Sequence, residues 1–115
     1  MSGDLVLVAE PDPFDLRTLT EACEAQGHRV LSAADGDQAL GVLARDPPDL
    51  AILDARLPGI DGLEVLRVIR SDGKLGDVPV LMVVDEDDGA TQSRALDLGA
   101  DDWVTRPFRV FEVQT

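Results

Sequence analysis

Asp49-Leu50-Ala51-Ile52-Leu53-Asp54-Ala55-Arg56-Leu57-Pro58-Gly59-Ile60-Asp61-Gly62 decides how the rest of the chain is read. Leu50 to Leu53 are four consecutive apolar residues. A short apolar run bounded by turn signals predicts a strand buried on both faces, as in a parallel sheet. The run ends on a carboxylate, Asp54. Pro58-Gly59 is a turn dipeptide, and Asp61-Gly62 opens the next helix. In open α/β sheets, ligands bind at the carboxyl ends of the strands. Taken alone, Asp54 is compatible with such a site and equally with a helix or loop cap.

Outward from this stretch the same unit recurs. Leu5 to Ala9 and Val80 to Val84 are further continuous apolar runs. Val30 to Ala33 and Asp102 to Val104 predict two weaker strands. Asp12-Pro13 reads as N-cap and first residue of a helix carrying Leu16, Leu19 and Cys23 on one face, stopped at Gly27. Asp35 and Gln38 have the spacing of a capping box ahead of Ala39, Leu40, Val42 and Leu43, and Asp46-Pro47-Pro48 ends that helix. Leu63, Val65, Leu66 and Ile69 form the apolar face of a third helix, with Arg67 and Arg70 on its outer side. Ser71 to Asp77 reads as a polar loop. Thr91 to Leu98 predicts a fourth helix ending at Gly99.

Strand and helix therefore alternate five times. That predicts an α/β fold: a doubly wound five-stranded parallel sheet in flavodoxin-like order 2-1-3-4-5, with helices on both faces. The chain stops at Thr115, so the last helix is truncated, in a protein with a stunted helix or in a domain cut from a longer one. Residues 1–115 make one domain, because 115 residues supply one core and not two.

Composition narrows the function classes. A formal net charge of −13 argues against direct binding to nucleic acid or an anionic membrane and favours cations or basic partner surfaces. The single Cys23 excludes an internal disulfide and reads as a core residue; His28 is isolated and belongs at the lip of the second strand. No signal peptide is present, and no run reaches the roughly 18 apolar residues of a membrane span, so a cytoplasmic address is expected. Asp85 to Gly89 superficially suggests a calcium loop, but its spacing and the missing downstream acid reject one.

The carboxyl ends of the first, third, fourth and fifth strands bring together Glu10 and Asp12, Asp54, Val84 and Asp85, and Thr105-Arg106. In that order they resemble the receiver domain of response regulators, over essentially the whole chain. Leu98-Gly99-Ala100-Asp101-Asp102-Trp103-Val104-Thr105-Arg106-Pro107-Phe108 is similar to the family's L-G-A-D-D-Y-L-T-K-P-F, and Pro58-Gly59 to its P-G turn. The resemblance implies phosphoryl transfer onto Asp54 as acceptor, with Mg²⁺ held by acids after the first strand, by Asp54 and by the backbone carbonyl of Arg56. It implies a phosphate contact from Arg106 and a switch pair at Val84 and Trp103. The partners it implies are a sensor histidine kinase or phosphotransfer protein, or an output domain or partner protein. It also implies a dimerisation face on the fourth helix, fifth strand and fifth helix.

The sequence departs from the family around the acceptor. Glu10 is one methylene longer than the usual first acid, and Pro11 stands where the direct metal-binding acid belongs. Asp12 could reach the metal or cap its helix. Val84 replaces a hydroxyl, Asp85 a small residue, and Arg106 a lysine. The preferred reading is a degenerate receiver that acts mainly as a protein-interaction module. The alternative is a working Mg²⁺-dependent acceptor. A flavodoxin-like cofactor binder would need a glycine- or hydroxyl-rich phosphate loop, and Glu10-Pro11-Asp12-Pro13 is acidic and stiff instead. Arg106 is expected to pair with Asp54 or Glu10 in the metal-free protein; the competing expectation is solvent or the Asp85–Asp88 loop.

Overall fold

The computed structural model describes residues 3–108. The predicted truncated last helix falls on residues 109–115, outside the described residues. Nine elements alternate: β1 (Leu5–Ala9), α1 (Pro13–Ala25), β2 (Arg29–Ala33), α2 (Gly36–Arg45), β3 (Leu50–Asp54), α3 (Gly62–Ser71), β4 (Val80–Asp85), α4 (Gly89–Asp97) and β5 (Asp102–Arg106). The strands form one sheet in the order β2-β1-β3-β4-β5, all parallel.

Period-two alternation sends successive strand residues to opposite faces. On one face Leu7, Ala9, Ala51, Leu53, Val80, Met82 and Val84 pack under α2, α3 and α4. On the other, Val6, Val8, Ile52 and Val83 meet Leu19, Leu16 and Cys23 of α1. Burial raises the pKa of the Cys23 thiol, as a core position should. His28 Nδ1 accepts from the Asp4 amide at the mouth of β2.

Aspartates start the helices. Asp12 accepts from the amides of Phe14 and Asp15, Asp35 from Gln38, Asp61 from Glu64 and Asp88 from Thr91. Gly27 and Gly99 take positive φ where α1 and α4 end. Gly62 is required by a close approach: a Cβ there would collide with the backbone carbonyl of Asp54. The same closeness lets α3 start directly beneath the end of β3.

Two local expectations are corrected, for α4 and Arg70, and the expected loop holds from Asp72 onward. α4 begins at Gly89, two residues before the predicted Thr91, because Asp88 supplies its cap. The Ser71–Asp77 loop is pinned by a buried Leu75. Arg70 does not sit on the outer side of α3. Its guanidinium turns past the helix end, where Nε donates to Gly99 O at 2.9 Å and Nη1 to Gly76 O and Val78 O at 3.1 and 2.6 Å. Nη2 meets Asp101 at 3.0 Å, and Asp101 also accepts from the Val80 amide.

Candidate functional site at the carboxyl edge of the sheet

The strand order puts the ends of β1, β3, β4 and β5 side by side. Asp54 is the last residue of β3 and is 1% exposed; Glu10, just past β1, is equally buried. Burying two carboxylates this close is costly unless charge or a proton offsets them. Both devices are present.

The charge comes from Arg106. Its Nη1 and Nη2 reach the two oxygens of Asp54, the second at 3.3 Å. Nη1 also lies 3.5 Å from Glu10 Oε1, and Nε donates to Asp85 Oδ1 at 3.2 Å. One guanidinium thus faces three carboxyl groups, and both arms of the sequence expectation occur together. A planar fork of five donors meets them along two edges at once. Burial would lower the Arg106 pKa, but hydrogen bonding and charge from Asp54, with Asp85 and Glu10 behind it, outweigh that and raise it.

The second device is a raised proton affinity at Glu10. Burial first, then a hydrogen bond with the Asp54 carboxylate, raise its pKa from the ordinary 4.5 to about 8. The Asp12 amide donates to its other oxygen at 3.1 Å, which opposes the rise. The Arg56 amide donates to Asp54 Oδ1 at 2.7 Å, and Arg56 Nη1 pairs with Asp85 Oδ2 at 3.1 Å. The guanidiniums of Arg56 and Arg106 thus interleave with the carboxyl groups of Asp54, Asp85 and Glu10.

The other sequence candidates fall as follows. Asp12 spends Oδ1 on capping α1 and is exposed. Pro11 contributes no donor. Val84 is buried in the apolar core and pairs with Thr105 in register. Trp103 is half-buried beside Met82, three residues before Arg106 on β5. Sequence reasoning used only the backbone of Arg56 and saw Asp85 as an acid in place of a small residue; the ion pair joining them was missed. The available signal was Asp85 itself, an acid beside a predicted anion site, which calls for a cation.

As a donor set for Mg²⁺ this arrangement does not fit. Octahedral Mg²⁺ draws on carboxylates and substrate oxygens. Here one candidate ligand is a proline, another is a cap, and the Arg106 guanidinium takes the cationic position beside Asp54 and Glu10. Among the described residues, no group of three or more His, Cys, Asp or Glu is placed to hold a metal ion.

Comparison with known proteins accounts for this layout. The family model of the response regulator receiver domain matches residues 6–115. The chain belongs to the response regulator receiver domain family. Response regulator MprA of Mycolicibacterium vanbaalenii is 37% identical over 108 residues, 94% of this chain. The chain spans 46% of that relative, about half its length. A structure solved from Chloroflexus aurantiacus J-10-fl has a TM-score of 0.92 at 28% identity, covering 97% of this chain and 92% of the other. The receiver domain of NtrX from Brucella abortus has a TM-score of 0.86 at 27% identity, covering 94% and 90%. A receiver domain serves two-component signalling, and the family works with histidine kinases, phosphotransfer proteins and output domains. Receiver domains typically bind Mg²⁺ at the acceptor. Among the described residues, no helix is long and apolar enough to cross a membrane.

Proposed function

We propose that this receiver domain is an atypical one, acting mainly as a protein-interaction module and responding weakly or not at all to phosphorylation at Asp54. One observation carries the reading: both oxygens of Asp54 are engaged by Arg106, and Oδ1 is held by the Arg56 amide as well. An acceptor carboxylate must present a lone pair to phosphorus, with the arriving oxygens met by cations already in place. Here the cation is already bonded to the nucleophile. Its removal from Asp54 would leave a buried carboxylate unpaired. Val84 offers no hydroxyl to a phosphoryl oxygen, and Pro11 supports the weak Mg²⁺ affinity of this reading.

The domain spans residues 1–115. Its chemistry, if any, is confined to its own aspartyl phosphate, so it is not an enzyme acting on a separate substrate. Its partner is a histidine kinase, phosphotransfer protein, output domain or other protein with a basic face, complementary to a net charge of −13. A cytoplasmic setting fits that role.

Incubation with acetyl phosphate and Mg²⁺, followed by intact mass measurement, tests this. Wild type is expected to gain phosphoryl mass in at most a small fraction of molecules. The double variant Pro11→Asp, Arg106→Lys restores a ligand and a compact cation, and should gain severalfold more. Near-complete phosphorylation of wild type, lost in Asp54→Asn, would establish the working acceptor instead.

A further inference from the structure

Asp-Gly occurs four times in the chain, at Asp35-Gly36, Asp61-Gly62, Asp72-Gly73 and Asp88-Gly89, and asparagine does not occur at all. In this dipeptide the glycine nitrogen can reach the aspartate carboxyl carbon, because glycine brings no Cβ and lets the peptide turn. The chemistry of the four pairs is identical, so only their settings in the fold distinguish them.

Three of the four are locked. Asp35, Asp61 and Asp88 cap α2, α3 and α4, and the carbonyl of each Asp–Gly peptide takes the first backbone bond of its helix. Asp35 O accepts from the Ala39 amide at 3.0 Å, Asp61 O from Val65 at 3.0 Å and Asp88 O from Gln92 at 3.2 Å. Turning any of these peptides breaks that bond. Gly36 and Gly62 are also buried, and their amides donate to Pro58 O at 3.2 Å and Ala55 O at 3.1 Å. At Asp88 both carboxylate oxygens are tied to Thr91, by its amide at 3.1 Å and its hydroxyl at 2.7 Å.

Asp72-Gly73 is set differently. It lies just past α3, in the connection to β4, and both residues are exposed. The Asp72 carbonyl opens no helix, and among the described residues the Gly73 amide has no hydrogen-bond partner. Nothing lies within 4 Å of where a Gly73 Cβ would be. The Asp72 carboxylate is held by one oxygen: Oδ1 accepts from the Lys74 and Leu75 amides at 2.7 and 3.0 Å. Two backbone donors there stabilise the negative charge that gathers on Oδ1 when a nucleophile adds to the carboxyl carbon. Oδ2 is left as the departing oxygen.

We infer that Asp72-Gly73 is a site of spontaneous covalent modification, where the chain passes through a cyclic imide to an isoaspartyl linkage. The Gly73 nitrogen bonds to the Asp72 side-chain carboxyl carbon. Its proton and the Oδ2 hydroxyl leave as water. Water then opens the imide at either carbonyl. Opening at the side-chain carbonyl restores aspartate. Opening at the main-chain carbonyl breaks the original peptide bond and leaves the chain running through the side chain, with the free carboxylate on Cα. Mass is unchanged overall, and water is the only co-reactant. The product is one backbone carbon longer and no longer presents the carboxylate that held the Lys74 and Leu75 amides. Leu75 is buried beneath this loop, and Arg70 binds the Gly76 and Val78 carbonyls beyond it. The modification therefore loosens the α3–β4 connection, at the sheet edge opposite Asp54, and the inference is independent of whether Asp54 accepts a phosphoryl group.

The test ages the full chain for several weeks at neutral pH and physiological temperature, with a parallel sample in urea. Peptide mapping with electron-transfer fragmentation locates isoaspartate, and an isoaspartyl methyltransferase counts it. Native protein is expected to accumulate it at Asp72 severalfold faster than at Asp35, Asp61 or Asp88. In urea the four sites should react at similar rates. Gly73→Ala should remove most of the methyl acceptance of aged native protein. An even spread over the four sites in native protein, or a maximum at one of the helix caps, overturns the inference. So does native protein free of isoaspartate when the urea sample has acquired it. Dominance of Asp72 in urea as well would assign the selectivity to sequence and overturn the structural account. Should Gly73→Ala fail to fold, the wild-type map decides alone.

Discussion

Arg106→Ala is expected to unfold more easily than wild type by about 3–5 kcal/mol at neutral pH, the usual cost of removing one partner from a buried ion pair. Asp54 is 1% exposed, so without the guanidinium its charge has neither water nor a side-chain cation within the contacts described. Arg56 does not fill the gap, because its side chain is committed to Asp85 and is itself largely exposed. The excess carboxylates then repel one another. A divalent cation can replace the lost charge once the guanidinium has gone. Urea titrations with and without Mg²⁺ should therefore show partial rescue of the variant and little change in wild type. Equal stability of the two proteins without metal would mean that Arg106 does not hold these carboxylates.

The second large effect is a fall in stability as pH rises. Folded Glu10 binds its proton up to about pH 8, whereas its ordinary value is 4.5. Between those values the native state holds more protons than the unfolded chain, so unfolding free energy declines with pH. The Glu10 contribution is complete below its unfolded pKa and is gone once pH has passed the folded one. At about 1.4 kcal/mol per unit, the loss is on the order of a few kcal/mol. Of the groups facing Glu10, Asp54 raises its pKa, and Arg106 lowers it without cancelling the rise. Urea midpoints measured across this window should drop for wild type and stay level for Glu10→Gln. Parallel slopes would show that Glu10 is not the titrating group.

What could be read from the sequence follows from what is local. Apolar runs and helix caps are short-range features, so β1, β3, α1 and α2 lie where Leu5–Ala9, Leu50–Asp54, Asp12-Pro13 and Asp35 predict them. The ends of β4 and β5 were less legible. Asp85 and Arg106 look like loop residues by polarity, yet each extends its strand because the other stands opposite. Arg70 shows the limit of helical periodicity: its Cα obeys the pattern, while its long side chain leaves the helix face to reach three carbonyls. At the site, Arg106 could be foreseen from the surplus of acids. The Arg56–Asp85 pair was harder to read, since only the acid hinted at a cation, and it joins the turn after β3 to the end of β4, whose facing depends on the assembled sheet.

The Arg106 contacts have a kinetic meaning as well. They span 52 residues to Asp54 and 96 to Glu10. Closing such long loops carries an entropic cost that nearby contacts do not. The guanidinium finds its partners once β1, β3, β4 and β5 are aligned, so this charge cluster is expected to form late, on the native side of the folding barrier. Removing it should speed unfolding and leave the refolding rate nearly unchanged, as for interactions formed late. Stopped-flow chevrons of wild type and Arg106→Ala would show this as a displaced unfolding limb alone. A comparable slowing of the refolding limb would place the pair in the nucleus. The electrostatic closure of this edge then acts as a lock on the finished fold: it governs how long the native state lasts, and hardly how fast it is reached.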